Sequence, residues 1–92
     1  MEFRWSDEKD AWLREHRGVS FEDIVVAIEA GHLLATRQHH SGFTYAHQEI
    51  YFVEIGGYVY MVPFVRDAGW IFMKTVIPTR KGTREFLKGS SQ

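Results

Sequence analysis

Phe21, Ile24, Val25 and Ile28 fall at i, i+3, i+4 and i+7, a spacing that lays four apolar side chains along one stripe of a helix. Ser20 precedes them as an N-cap with Asp23 three residues on, close to a capping box, and Gly31 ends the segment. An earlier helix is predicted after Ser6, whose hydroxyl suits an N-cap and whose followers, Asp7 and Glu8, favour the positive helix end. It runs to about Arg17, and Gly18 stops it. Ahead of it, Met1 to Trp5 alternates, with Phe3 and Trp5 on one face, and predicts a short strand.

From Leu33 onward the period shortens. Leu33 to Gln38 reads as a strand, followed by the polar segment His39-His40-Ser41-Gly42-Phe43-Thr44. Gln48 to Ile55 is rich in β-branched and aromatic residues. Gly56-Gly57 predicts a two-residue hairpin turn, because both positions accept positive φ. Tyr58 to Arg66 is nearly continuous in apolar residues, which suits a central strand covered on both faces. Pro63 within it predicts a bulge or a locally unpaired edge. Asp67-Ala68-Gly69 turns the chain and Trp70 to Ile77 returns as a strand. Pro78 and Thr79 end that strand, and Thr79 caps a last helix bearing Phe86 and Leu87. The predicted order is β-α-α-β-β-β-β-α, an α+β fold in which an antiparallel sheet packs against helices. Residues 1–88 read as a single domain and 89–92 as a loose tail.

Composition narrows the function classes. The 92 residues are 45% apolar, 25% charged and 15% aromatic, too hydrophobic for disorder and too few for a second domain. The absence of cysteine excludes a disulfide framework, a thiolate nucleophile and a zinc ribbon, and suits a reducing cytoplasm. The opening is charged, unlike a secretory signal. The longest strongly apolar stretch, Tyr58 to Val65, falls far short of the about twenty residues a spanning helix needs, so no membrane role is expected. The net charge of −1 conceals an asymmetry: eight acids against four bases in residues 1–31, four acids against seven bases in 32–92. Between Lys74 and Lys88 five bases face one acid, which predicts an anion-facing surface at one end of the molecule.

The candidate chemistry follows that basic set. No Gly-rich phosphate loop, G-x-S-x-G elbow or H-E-x-x-H is present. His39, His40 and His47 have no carboxylate at a ligand spacing and read as solvated loop histidines, so neither metal nor cofactor is expected. With period 2, Lys74 shares a strand face with Trp70, Phe72 and Val76, where a lysine either snorkels outward or holds an anion. Arg80 and Lys81 stand at the start of the last helix, the unfavourable end for cations unless an anion binds there. With Arg66 they form a cationic set near Tyr45, Tyr51, Tyr58, Tyr60 and Trp70. Bases combined with aromatics on a sheet suit single-stranded RNA, phosphates on the former and nucleobases on the latter. Strand propensity and core filling account for most of those aromatics equally well. Cleavage by ribose 2′-OH attack needs a proton acceptor, a proton donor and a stabiliser of the added negative charge. His47, His40 and Glu49 are candidate proton carriers, as is Lys74 if burial favours its neutral form; Arg66 and Arg80 would hold the charge.

The opening Phe3-Arg4-Trp5-Ser6-Asp7-Glu8-Lys9, with Arg17-Gly18-Val19-Ser20-Phe21-Glu22-Asp23 after it, resembles the BrnT toxins, whose pattern runs F-x-W-D-x-x-K and then K-H-G-V-S-F-E-E. Pro78-Thr79-Arg80-Lys81-Gly82-Thr83-Arg84 is similar to that family's S-A-R-K-A-T segment before its last helix. The resemblance implies a toxin of a type II toxin–antitoxin pair with a RelE-like fold, acting as an endoribonuclease. It also implies a protein antitoxin, commonly with a ribbon-helix-helix DNA-binding half. Trp5 matches the W of the opening motif, and Arg80 and Lys81 match the R-K. Ser6 stands where the pattern has Asp, and Arg17 where it has His. Lys74 precedes by one residue the position, Thr75, at which a base is expected, which turns it to the opposite sheet face unless a bulge intervenes.

The resulting expectation is a metal-independent endoribonuclease in the cytoplasm. Arg66, Lys74 and Arg80 form its phosphate and charge-stabilising set and His47 is its preferred proton carrier. Lys81, Tyr51, Tyr58 and Trp70 contact RNA. The alternatives are a non-catalytic toxin-like module that inhibits a target or only binds its antitoxin, and a small homo-oligomer whose aromatic sheet is an interface.

Overall fold

The computed structural model describes residues 2–38 and 48–88. Strand β1 (Glu2–Arg4) leads into helices α1 (Asp7–Arg17) and α2 (Phe21–Glu29). Ser6 Oγ accepts the Lys9 N–H at 3.2 Å, the N-cap its position predicts. The capping box of α2 is complete, with Ser20 Oγ and the Asp23 carboxylate each accepting the other's backbone N–H at 3.0 Å. Asp10, buried on α1, accepts the N–H of Phe21 at 2.8 Å and so fixes the second helix to the first.

Four strands then form an antiparallel meander: β2 (Leu33–Gln38), β3 (Glu49–Ile55), β4 (Tyr58–Asp67) and β5 (Trp70–Met73). They are followed by the short β6 (Ile77–Pro78), by α3 (Arg80–Thr83), and by a π-helical turn over Arg84–Lys88. Spatial order across the sheet is β1-β5-β4-β3-β2, with β6 beside β4. The class is α+β, and β4 is central as its apolar run predicts. Two details depart from expectation. The sheet is not wholly antiparallel, because β1 pairs parallel to β5, Phe3 opposite Ile71. The helical pair crosses the sheet to bury its stripe, which leaves β1 and β2 at opposite edges. The returning strand is also not continuous to Ile77. Phe64 faces Met73 and Met61 faces Ile77, so two residues of β4 oppose three, Lys74 to Val76. The strand breaks there into β5 and β6, a bulge located at Pro63, which has no N–H to give to the ladder.

Leu13, Phe21, Ile24 and Ala27 of the helices pack on Tyr51, Val53, Val62, Phe64, Ile71, Met73 and Val76 of the sheet. Trp5 stacks on Phe21 with ring centroids 5.6 Å apart. A fully buried side chain of this size contributes about 1.5–3 kcal/mol relative to exposure, so this one face carries most of the stability. Because of the bulge, Val76 faces the core with Met73 and not the side of Lys74, correcting the simple alternation. The opposite face is covered only in part, by α3 and the turn after it. Phe86 packs on Phe52 at 5.2 Å, and Thr83 Oγ1 accepts the Val59 N–H at 2.8 Å. Among the described residues, no helix is long and apolar enough to cross a membrane.

Candidate nucleic-acid interface

Strand alternation distributes the predicted site residues between the two faces. Trp70, Phe72 and Lys74 point to the partly open face, and Ile71 and Met73 to the core. The Lys74 ammonium lies 5.5 Å from the Phe72 ring centroid, and its side chain is exposed, not buried. The Arg4 guanidinium covers Trp70 at 4.7 Å, held also by Glu2 at 3.2 Å. Half-buried Met61, Pro63 and Val65 continue this face along β4. At its far side a shallow groove is lined by Arg37, Phe52, Met61, Lys81 and Glu85. Trp70 and Lys81 therefore border the same open face, at its two ends.

Arg66 lies on the other side. It shares the face of Phe64, whose ring centroid is 5.4 Å from its guanidinium. Glu49 accepts from its Nε at 2.5 Å and from a terminal nitrogen at 3.2 Å. This hydrogen-bonded pair raises the Arg66 pKa above its ordinary value. Glu49 thus meets a cation and is not positioned beside Lys74 as a proton carrier. Tyr51 is 7% exposed and its ring stacks on Phe64 at 3.9 Å, which removes it from any base-stacking surface. Burial pushes its phenol pKa up, opposed by the Arg66 charge and reinforced by that of Glu49.

Arg80 turns to a third place. With Tyr58, Thr83 and Arg84 it lines a depression of about 290 Å³. Tyr58 is half-buried, its ring edge-on to Tyr60 at 5.9 Å. The helix-end argument for Arg80 and Lys81 does not hold, because α3 is only four residues long. Two of its early N–H groups are already satisfied, Gly82 on Thr79 Oγ1 at 3.0 Å and Thr83 on the Thr79 carbonyl at 3.0 Å.

The structure therefore does not gather Arg66, Lys74 and Arg80 into one cradle. His39, His40 and His47 lie outside the described residues, as does Tyr45. Two contributors escape a reading by motif. Arg84 follows Arg80 at helical i+4 spacing, a signal present in the sequence. Arg17 donates to the Val76 carbonyl at 2.5 Å, from 59 residues away, and stabilises the bulge that turns Lys74 outward. Among the described residues, Lys74, Arg80, Lys81 and Arg84 have no ion-pair partner, nor do Lys9 and Arg17, which lie over the Trp12 ring, whereas Arg4, Arg14, Arg37 and Arg66 each have one. No group of three or more potential metal ligands occurs among the described residues. Comparison of the chain with protein-family models, with curated proteins and with solved structures returns no match.

Proposed function

We propose that this chain is the toxin of a type II toxin–antitoxin pair, RelE/BrnT-like in fold, that binds RNA and cleaves it without a metal. The observation that carries this reading is that the exposed late cations Lys74, Arg80, Lys81 and Arg84 have no carboxylate partner among the described residues, with the Lys74 ammonium 5.5 Å from the Phe72 ring centroid and Tyr58 lining one depression with Arg80 and Arg84. An unneutralised cation beside an aromatic ring is what a polynucleotide uses, phosphate to one and base to the other. The motif resemblance at both ends of the chain points the same way, and with it to a protein antitoxin as the physiological partner. On this reading the ribose 2′-oxygen bonds to the adjacent phosphorus and the bond to the 5′-oxygen breaks. The fragments end in a 2′,3′-cyclic phosphate and a 5′-hydroxyl. His47 takes the 2′ proton, a second proton reaches the departing oxygen, and Lys74 offsets the added charge, while Arg80, which lines a separate depression, holds a more distant part of the strand.

A second reading, a binding module that does not hydrolyse, has an observation in its favour: Arg66 is occupied by Glu49 and stands on a different face from Lys74. End-labelled single-stranded RNA incubated with the chain in EDTA separates the two. Cleavage is expected, and Lys74→Ala should slow it by about 100-fold with an unchanged circular dichroism spectrum. RNA that stays intact while remaining bound would remove the nuclease and leave the module.

A further inference from the structure

We propose that the depression between Tyr58 and the last helical turn is a site for a nucleoside phosphomonoester, either a free mononucleotide or the phosphorylated end of an RNA. The RNA alternative rests on the function proposed above; the mononucleotide alternative does not. Arg80 and Arg84 stand one helical turn apart and both line this depression. Like charges at that spacing repel, and among the described residues neither has an acidic partner to relieve it. Two arginines that line one space suit a doubly charged, multi-oxygen anion, which each guanidinium can contact through two parallel N–H groups. A terminal phosphate matches that charge better than the singly charged diester within a strand. Tyr58 also lines the depression, and we assign its aromatic side chain the contact with the nucleoside.

The floor of the site is rigid. Thr83 Oγ1 donates to the Thr79 carbonyl at 2.8 Å while accepting the Val59 N–H at 2.8 Å, which ties α3 to β4. Gly82 permits this close approach: a Cβ there would lie 2.6 Å from Thr79 Cγ2 and 3.4 Å from Val59. The chain then widens into a π turn beginning at Arg84 itself. Such turns are rare and concentrate at functional sites. The cleavage proposed above leaves a 5′-hydroxyl, so a 5′-phosphorylated end reaching this pocket would come from a different class of reaction, hydrolysis that leaves the phosphate on the 5′ side.

Calorimetric titration of the whole chain with AMP and with adenosine tests the site. AMP should bind saturably and adenosine should not. Arg80→Gln and Arg84→Gln should each weaken AMP by about tenfold or more, with the far-ultraviolet dichroism unchanged. Equal binding of adenosine, no saturable binding of AMP, or full affinity in a folded Arg84→Gln variant would overturn the proposal. Oligoadenylates with a terminal phosphate at either end, or with none, distinguish the sources. Competition with AMP only by a phosphorylated oligomer supports the RNA end, and AMP binding without such competition supports the mononucleotide. RNA cleavage without AMP binding defeats this site alone, whereas AMP binding with RNA left intact defeats only the nuclease.

Discussion

Asp10 shows how much one buried carboxylate organises. It accepts the Phe21 N–H, an end group of α2 with no partner within its own helix, and pairs with Arg14 at 2.9 Å. Asp10→Ala leaves that buried donor without a partner and should lower unfolding stability by about 1–3 kcal/mol, read from urea denaturation. Asp10→Asn keeps an acceptor and should cost less. Tyr51 makes a contrasting prediction in pH. Burial raises its pKa above the ordinary 10.0, so the folded state holds the phenolic proton more tightly than the unfolded chain. That contribution is fully present below pH 10 and is lost as the pH climbs through the raised value. Tyr51→Phe, with nothing to ionise, should show a smaller loss of stability between about pH 8 and about pH 11, measured as the shift in urea midpoint. The same residue shows why an aromatic in a β-rich run is ambiguous. Its letter fits base stacking and core equally, and only the register with Phe64 decides.

At the level of elements, the β3–β4 hairpin carries the clearest local instruction. Gly56 and Gly57 have φ of 59° and 84°, as a type I′ turn requires at both central positions. Gly57→Ala should destabilise by about 1–2 kcal/mol through backbone strain alone, since no atom lies within 4 Å of the added Cβ. Gly56→Asn should stay within about 0.5 kcal/mol, because asparagine tolerates this conformation; thermal denaturation of both variants checks the contrast. Caps, stripe and turn made both helices and this hairpin legible in the chain, since each rests on contacts between residues close in sequence. The turn also sets the register Ile55 to Tyr58, and with it the reach of Glu49 to Arg66 along one face, a pairing that was therefore accessible from sequence. The parallel partner of β1 was not, because nothing local to Phe3 identifies Ile71. Pro63 marked the bulge, but its effect on Val76 and Lys74 depends on which strand carries the extra residue.

Over the whole molecule, charge is separated: acids dominate the first third, which forms α1 and α2, while Lys74 after β5, α3 and the turn after it carry four bases without ion-pair partners among the described residues. A single strand that contacts Lys74, Arg80, Lys81 and Arg84 together should bind with a log–log salt slope of about −3. Removing one of these four should reduce the slope by about 0.7, whereas Arg66→Ala should leave it unchanged; fluorescence anisotropy at graded salt measures both. The parallel pairing of β1 with β5 also governs timing. Glu2–Arg4 find their strand neighbours only at Trp70–Phe72, so β1 stays unpaired until β5 has been made, whereas Trp5 meets its partner Phe21 much earlier. Such long-range pairing seals one sheet margin in a late step of folding, after the local helices and hairpins have formed.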